Sequence, residues 1–251
     1  MPALKKEPHA FDANLRCYTL RPDGAVDIED GERTHQLPPP PSLPPLAAPP
    51  VCGANHCLAV HRSRGEAISW ATSSSGNRFG QLGWGKSAKA PPLYEARPVE
   101  TPAGCGRVVK VAAGDFHSAL VDEAGSLYAW GCDRWTQLGQ ELLWVKGAVW
   151  QCKPQLVASL QKASVRIVDV ACGADHTVAL DERRQVWAWG RGEHGQLFGD
   201  ARRPFTAPPS VSHVLQSGGC AARVTATGHC SCSYSEAGLL RCIGIGHRER
   251  T

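Results

Sequence analysis

The chain has 251 residues, including 26 glycines and 19 prolines, and a formal net charge of +4. This length is enough to bury a substantial core, and the glycine and proline content favours many turns over long helices. No window approaches the roughly eighteen uncharged apolar residues of a membrane span, and the N-terminus lacks the apolar stretch of a signal peptide. The small, dispersed charge does not indicate nucleic-acid binding.

The eleven cysteines bear on the compartment. Their number is odd and their spacing irregular, in a chain without a recognisable export signal. Such cysteines are typical of free thiols in a reducing compartment rather than of a disulfide framework. We therefore expect a cytoplasmic or nuclear protein.

The first segment along the chain, residues 1–50, differs in composition from the rest. The sequence LRCYTLRPDGAVDI predicts a hairpin around a turn at 22–24. Residues 38–50 then hold eight prolines and favour an extended polyproline conformation. We expect a stiff linker here, while the P-x-x-P pattern leaves open docking into the aromatic groove of a partner.

Residues 51–251 are predicted to form a second domain made of repeats. Four units carry marker glycines that are 61, 59 and 55 residues apart: Gly53, Gly114, Gly173 and Gly228. Short runs such as VVKV, HSALV and SLYAW, separated by turn residues, predict strands. Three or four strands in a unit of this length are typical of a β-propeller blade, which needs its neighbours to bury both faces.

The repeats resemble the regulator of chromosome condensation family, whose repeats form seven-bladed β-propellers. The resemblance rests on AAGDFH at 112–117, ACGADH at 171–176, the Trp-Gly pairs at 130–131 and 189–190, and the Gly-Gln-Leu tracts at 80–82 and 195–197. It implies an all-β propeller with about four recognisable units. Because this fold hosts exchange factors, ubiquitin ligase modules, photoreceptors and scaffolds, it does not fix the function.

Four units do not close a seven-bladed ring. An open array would expose strand edges and apolar faces, and could dimerise through its blade edges. Three explanations are open: the chain is part of a longer product, residues 1–50 supply a degenerate blade, or a partner completes the ring. The first two are favoured.

One histidine recurs in each of three units, three residues after the marker glycine: His56, His117 and His176, with Ser231 in this place in the fourth. A residue repeated once per blade is expected to pack or to form hydrogen bonds. The resemblance adds a second interpretation, because Asp and His side chains on one face of the chromosome condensation regulator contact the small GTPase Ran. It implies four candidate partner-binding residues: Asp115, His117, Asp175 and His176.

Three further candidates are Trp135, Trp144 and Trp150, in or beside residues 141–164, a segment without a counterpart in the other units. Tryptophans of this kind are frequent hot spots at interfaces. In the family's exchange factor a projecting wedge acts on the GTPase, and the resemblance implies a similar role here. The alternative is a segment that folds back over an open apolar edge, with a helical turn or two in PQLVASLQ. The repeated tryptophans are expected to pack between blades: Trp70, Trp130 and Trp189.

The sequence does not predict a metal centre or an ordinary enzyme. Cys52 and Cys172 align with Ala113 and Thr227, which indicates small core residues, and only 229–232 (HCSC) remains as a local cluster. The twofold paired spacing of a closed zinc site is absent. No nucleophile elbow, phosphate-binding loop or zinc-protease motif occurs. We therefore expect no catalytic residue, no cofactor and no metal.

These features predict a non-enzymatic protein-interaction scaffold or regulatory adaptor. The alternative is a guanine-nucleotide exchange factor for a Ran-like GTPase, which would accelerate nucleotide release, whereas a scaffold would bind without changing that rate. Chromatin association is a further alternative, for which the N-terminus offers only Lys5 and Lys6 as a basic tail. We expect a protein partner, no membrane contact and no direct nucleic-acid binding.

Overall fold

Five antiparallel sheets follow one another along the chain. The computed structural model describes complete residues over 46–85, 93–140, 149–199, 209–216 and 220–244, and the backbone alone over 9–11, 17–20, 26–30, 33–37 and 205–208. The first sheet has the order β1-β2-β3-β4, and β2 pairs with β3 on either side of residues 21–25. Its strands are β1 (His9–Phe11), β2 (Cys17–Leu20), β3 (Val26–Asp30) and β4 (Arg33–Leu37).

The four repeats fold into four blades, and the predicted all-β propeller of repeats is confirmed. Blade 1 contains β5 (Val51–Cys52), β6 (His56–Val60), β7 (Ala67–Ala71) and β8 (Arg97–Pro98). Blade 2 contains β9 (Val108–Ala113), β10 (His117–Asp122), β11 (Leu127–Cys132) and β12 (Trp150–Leu156). Blade 3 contains β13 (Ile167–Cys172), β14 (His176–Asp181), β15 (Val186–Arg191) and β16 (Phe205–Val211). Blade 4 contains β17 (Ala221–Thr227), β18 (Cys230–Ser235) and β19 (Leu240–Gly244).

The core lies between adjacent blades, because β10 and β14 are buried along their whole length. Trp130 packs with Leu58 between blades 1 and 2, and Trp189 packs with Leu127 and Ile167 between blades 2 and 3. The three repeated tryptophans are at most 1% exposed. Their predicted packing role is confirmed.

The marker glycines allow neighbouring blades to approach closely. A Cβ on Gly53 would overlap the carbonyl oxygen of Gly114, and a Cβ on Gly114 would overlap the carbonyl oxygen of Gly173. The first strands of all four blades line a central channel of about 850 Å³. At Gly53 and Gly114, glycine is therefore required by contact between the backbones of adjacent blades.

The described part of the segment 141–164 has a counterpart in blade 3, so that part of the sequence interpretation is wrong. Residues 150–156 form β12, the outer strand of blade 2, and α1 (Ala158–Lys162) follows it. Blade 3 has the same order, with β16 followed by α2 (His213–Gln216). Outer strands pair along one edge only, so few of their side chains are constrained and the repeat pattern fades there. The helical turn predicted in PQLVASLQ is confirmed by α1.

Among the described residues no helix is long and apolar enough to cross a lipid bilayer.

Four of the cysteines predicted to be free are paired. Disulfides join Cys52 to Cys57 and Cys232 to Cys242, with 4.1 Å between the Cα atoms in each pair. Each pair stands directly opposite across two antiparallel strands, where side chains come closest. Sequence spacing alone could not show this register. Six other cysteines are free in the described part of the chain.

Candidate partner-binding site

A layer of hydrogen bonds joins each blade to the next near one end of the propeller. Nε2 of His56 lies 2.6 Å from Oγ of Ser118, and Nε2 of His117 lies 3.0 Å from Oγ1 of Thr177. The third step joins His176 to Oγ of Ser231 over 2.8 Å. In each step the first residue of one blade's second strand reaches the second residue of the same strand in the next blade.

A second set of bonds fixes the direction of these contacts. Oγ of Ser118 donates to the carbonyl oxygen of Gln81, and Oγ1 of Thr177 donates to that of Gln137, both over 2.8 Å. Because each hydroxyl has already used its one proton, the histidine Nε2–H must be the donor in the bond to it. His56 and His117 are therefore neutral Nε2–H tautomers.

The buried tryptophans complete this interblade layer. Nε1 of Trp130 donates to the carbonyl oxygen of Gln81, and Nε1 of Trp189 donates to that of Gln137. Each Gln carbonyl thus accepts two protons from the following blade. The layer joins the turn of one blade to two strands of its neighbour.

Burial keeps the imidazoles of the layer neutral. His56, His117 and His176 are 0% exposed. Desolvation lowers the pKa of each of these histidines from 6.5 to about 3. They are structural residues, in agreement with the hydrogen-bonding role expected from their repetition, and their side chains do not reach the surface.

The layer ends at blade 4, where the sequence alignment was one residue out of register. Cys230 pairs with Gly244 as His117 pairs with Gly131, so Cys230, and not Ser231, stands in the histidine place. The error arose because Gly228 lies within the turn, whereas Gly114 precedes its turn. Ser231 is the hydroxyl that receives His176.

The layer also changes at blade 1. Cys57 stands in the hydroxyl place, opposite Trp70. Nε1 of Trp70 is buried and has no acceptor among the residues that the structure describes. The first and last repeats therefore differ from the inner ones at the same level of the fold.

Immediately beyond the layer, loops of all four blades meet at one end, here called the loop end. The pairs His117–Gly131 and Cys132–Trp150 bring the start of β10, the end of β11 and the start of β12 together. The equivalent pairing in the other blades places their first turns at the same end. The Gln-Leu segments of blades 1 to 3 follow there, at 81–82, 137–138 and 196–197.

A buried glutamine shapes the second loop of each of these blades. Oε1 of Gln81 accepts the backbone N–H of Phe79, that of Gln137 accepts the N–H of Trp135, and that of Gln196 accepts the N–H of His194. The three glutamines are 0% exposed. They hold three different side chains in one equivalent position: Phe79, Trp135 and His194.

Each of these three side chains meets the next blade with a different chemistry. The ring of Phe79 meets Phe116 edge-on, with centroids 5.4 Å apart. The guanidinium of Arg191 lies 4.6 Å from the ring centroid of Trp135. The rings of His194 and His229 lie 4.4 Å apart. The loop end thus presents an aromatic, a cationic and an imidazole contact in succession.

Arg191 is the electrostatic centre of the second contact. It lies 3.4 Å from Asp175 and 2.6 Å from Glu193, and all three side chains are partly exposed. At such exposure each ion pair contributes at most about 1 kcal/mol. Burial, and then the charge of Asp175, raise the pKa of Asp115.

The predicted site residues divide into two layers. Asp115, Trp135 and Asp175 are partly exposed at the loop end, and Trp150 is 43% exposed beside Phe79, with ring centroids 6.4 Å apart. His117 and His176 lie beneath them in the interblade layer, where both side chains are buried. Trp144 lies outside the described residues.

Sequence reasoning missed five residues of the loop end: Phe79, Phe116, Arg191, His194 and His229. Two of them, Phe79 and His194, lie two residues before a repeated glutamine, and this offset is visible in the sequence. Their identities vary between units, so a search for repeated residues passed over them. Trp135 belongs to this position too, and not to the segment 141–164.

One group of side chains could hold a metal ion. The sulfur atoms of Cys230, Cys232 and Cys242 lie within 4.8 Å of one another on blade 4, the one such group of three found in the described ranges.

Comparisons with known proteins agree with the division of the chain into repeats that each form a blade. A sequence model of the regulator of chromosome condensation (RCC1) repeat matches residues 76–121 and 124–180, and a second model of that repeat matches 108–136 and 167–196. The chain is similar to yeast RCC1 (Prp20) in its structure with Kap60, with a TM-score of 0.71 and 20% identity over 91% of this chain and 54% of that one. It is also similar to human WBSCR16, with a TM-score of 0.65 and 18% identity over 85% of this chain and 54% of that one.

Curated relatives are considerably longer than this chain. E3 ubiquitin-protein ligase HERC2 of Homo sapiens is 40% identical over 147 residues, which are 58% of this chain and 3% of HERC2. Protein RCC2 homolog of Xenopus laevis is 30% identical over 222 residues, which are 80% of this chain and 40% of the relative. The chain therefore spans less than half the length of these relatives.

Proposed function

Because this chain belongs to the regulator of chromosome condensation repeat family, we propose that it is a non-enzymatic interaction scaffold that binds a protein partner through its loop end. The carrying observation is the contrast at one end of the fold. Equivalent positions in three blades are held by the same glutamine bond and carry Phe79, Trp135 and His194. A rigid frame with variable side chains is the arrangement that recognises a partner with several loops at once.

The aromatic group around Trp150 supports the proposal further. Trp150 is 43% exposed and lies beside Phe79, which in turn contacts Phe116. Large aromatic side chains that are partly exposed and pack against neighbouring rings are common anchors at protein interfaces. Phe79, Phe116 and Trp150 together span the junction of blades 1 and 2 at the loop end.

Site-specific photocrosslinking tests this function. A benzophenone amino acid would replace Phe79, Trp135 or Trp150 at the loop end, and Glu123 or Glu182 in exposed turns at the opposite end. Crosslinking in living cells should give the same partner at the three loop-end positions and nothing at the two control positions. Crosslinks at Glu123 and Glu182 alone would contradict the proposal.

The second candidate is nucleotide exchange on a Ran-like GTPase, with chromatin association as the third. A solved structure of the similar Prp20p is described with its binding to Gsp1p and histones. On this chain the candidate contacts for a GTPase are Asp115 and Asp175, and Asp175 pairs with Arg191. The assay is release of a fluorescent guanine nucleotide from purified Ran. Acceleration that is lost in Asp175→Ala would favour exchange activity, whereas binding at an unchanged release rate favours the scaffold. Binding of core histones in a separate pull-down would favour chromatin association.

A further inference from the structure

The three cysteines of blade 4 form a compact sulfur cluster on one side of the sheet. Cys230 and Cys232 are two residues apart on β18, so they face the same side, and Cys242 stands directly opposite Cys232 on β19. Sγ of Cys230 lies 3.8 Å from Sγ of Cys232, which is bonded to Cys242. All three sulfur atoms lie within 4.8 Å of one another.

The spacing of Cys230 and Cys232 is that of two ligands around a metal ion, while Cys232 and Cys242 are joined in a disulfide. A tetrahedral Zn²⁺ ion has Zn–S bonds of about 2.3 Å, which places neighbouring sulfur atoms about 3.8 Å apart. The distance between Cys230 and Cys232 already has this value. Three thiolates with an open fourth position also match the soft ligand sets that select Zn²⁺ and Cu⁺.

The position of the cluster follows from the end of the interblade layer. Ser231 and Ser233, which alternate with the cysteines, are buried, and Ser231 accepts from or donates to His176 of blade 3. The cysteines therefore face away from blade 3, and each is partly exposed. In the inner blades the place of Cys230 is taken by a histidine committed to the next blade. Here it is a partly exposed thiol.

We propose that Cys230, Cys232 and Cys242 form a thiolate site for a soft metal ion, Zn²⁺ or Cu⁺, in the reduced protein. The disulfide between Cys232 and Cys242 is the oxidised form of the same site. A dithiol reductant supplies two electrons and two protons, cleaves the S–S bond into two thiols and is itself oxidised to a disulfide. The three thiols then lose their protons to solvent as the ion binds.

Blade 1 provides an internal control. Its disulfide joins Cys52 to Cys57, and His56, adjacent to Cys57, is engaged with Ser118. In the described part of the chain it has no third thiol that makes a group of three ligands. Reduction of this disulfide should therefore create two thiols but no metal site.

The test uses the full 251-residue chain, reduced without oxygen and stripped of metal with a chelator. Co²⁺, the spectroscopic probe for Zn²⁺ sites, is titrated in, and a thiolate-to-cobalt charge-transfer band should saturate at one equivalent. Zn²⁺ should displace the cobalt, and a parallel titration with Cu⁺ against a competing chelator decides between the two ions. Native mass spectrometry should show one bound ion after reduction and none in the oxidised chain.

Single serine variants identify the ligands. Cys230→Ser and Cys242→Ser should each weaken binding by at least about tenfold, since loss of a supporting group alone has effects of that size. Cys220→Ser, at an exposed free thiol, and Cys52→Ser, in blade 1, should bind as the unaltered chain does. Absence of the charge-transfer band in the reduced unaltered chain would overturn the proposal. Unchanged binding by Cys230→Ser, or a metal-free Cys230–Cys232 disulfide as the only product, would overturn it as well.

Discussion

The interblade layer and the loop end are adjacent in the fold, but they differ in how their side chains vary between blades. In the layer, His56, His117 and His176 make the same bond to a hydroxyl of the next blade. At the loop end, equivalent positions carry Phe79, Trp135 and His194 and make three different contacts. Repetition therefore marks what holds the blades together, and variation marks the surface proposed to bind a partner.

Acidification should break the layer first, with the largest expected effect. The three histidines bind protons in the unfolded chain below pH 6.5, but in the folded chain only near pH 3. Unfolding therefore takes up protons in this window, and each histidine removes about 1.4 kcal/mol of stability per pH unit as the pH falls. Urea unfolding at several pH values between 7 and 4 measures the slope.

Two further features sharpen this acid prediction. Burial raises the pKa of Asp133 from 3.8 to about 6. Protonation of Asp133 therefore stabilises the folded state as the pH falls from 6 to 3.8. In this window its effect on the free energy of unfolding cancels that of about one histidine. In the variant His56→Gln the slope should be smaller by one histidine. A free energy of unfolding that stays constant between pH 7 and 5 would contradict neutral buried histidines.

Removal of a tryptophan from the layer should cost nearly as much. Trp130 is fully buried and donates to Gln81, so Trp130→Ala leaves a cavity and should lower the free energy of unfolding by about 3–5 kcal/mol. Trp150→Ala at the loop end is the matched control and should cost less than about 1 kcal/mol. Equal losses in the two variants, measured by urea unfolding, would remove the distinction between the two regions.

A single hydrogen bond of the layer should matter less. His117→Leu removes the donor to Thr177, which continues to donate to Gln137, and should cost about 1–3 kcal/mol. In the double variant with Thr177→Val the loss should be smaller than the sum of the two single losses, because both residues belong to one network. Additive losses in this cycle would show that the bond carries no coupling.

The smallest stability effect is expected for the charged contact of the loop end. Arg191→Ala removes the contacts with Asp175, Glu193 and Trp135 and should cost at most about 1 kcal/mol of stability. Crosslinking of the partner through position 150 should nevertheless decrease. If this variant crosslinks to the partner as strongly as the unaltered chain does, Arg191 does not contribute to binding, and the interface consists of the aromatic group of blades 1 and 2.

The parts of the fold that repeat could be predicted from the sequence. Trp130 and Trp189 recur because each interblade core needs the same large side chain, and the histidines recur because each blade makes the same bond. The chemistry of the loop end could not be predicted this way. Arg191 and His229 act through residues that are distant in sequence, and their partners are known only once adjacent blades are placed side by side.

The strand register of blade 4 could not be predicted from the sequence either. The fourth unit was aligned on Gly228, but the strand pairing puts Cys230, not Ser231, opposite Gly244. A shift of one residue exchanges the two faces of a strand. It therefore concealed both the hydroxyl role of Ser231 and the common side shared by Cys230, Cys232 and Cys242.

The most direct test of this division is urea unfolding of one triple variant, Trp135→Ala with Trp150→Ala and His194→Ala. These changes remove three side chains from the loop end and leave the interblade layer intact. The account predicts one cooperative transition with a free energy of unfolding within about 2 kcal/mol of the unaltered chain. A loss as large as that of Trp130→Ala, or a gradual transition, would contradict the claim that the layer holds the blades and leaves the loop end free to bind.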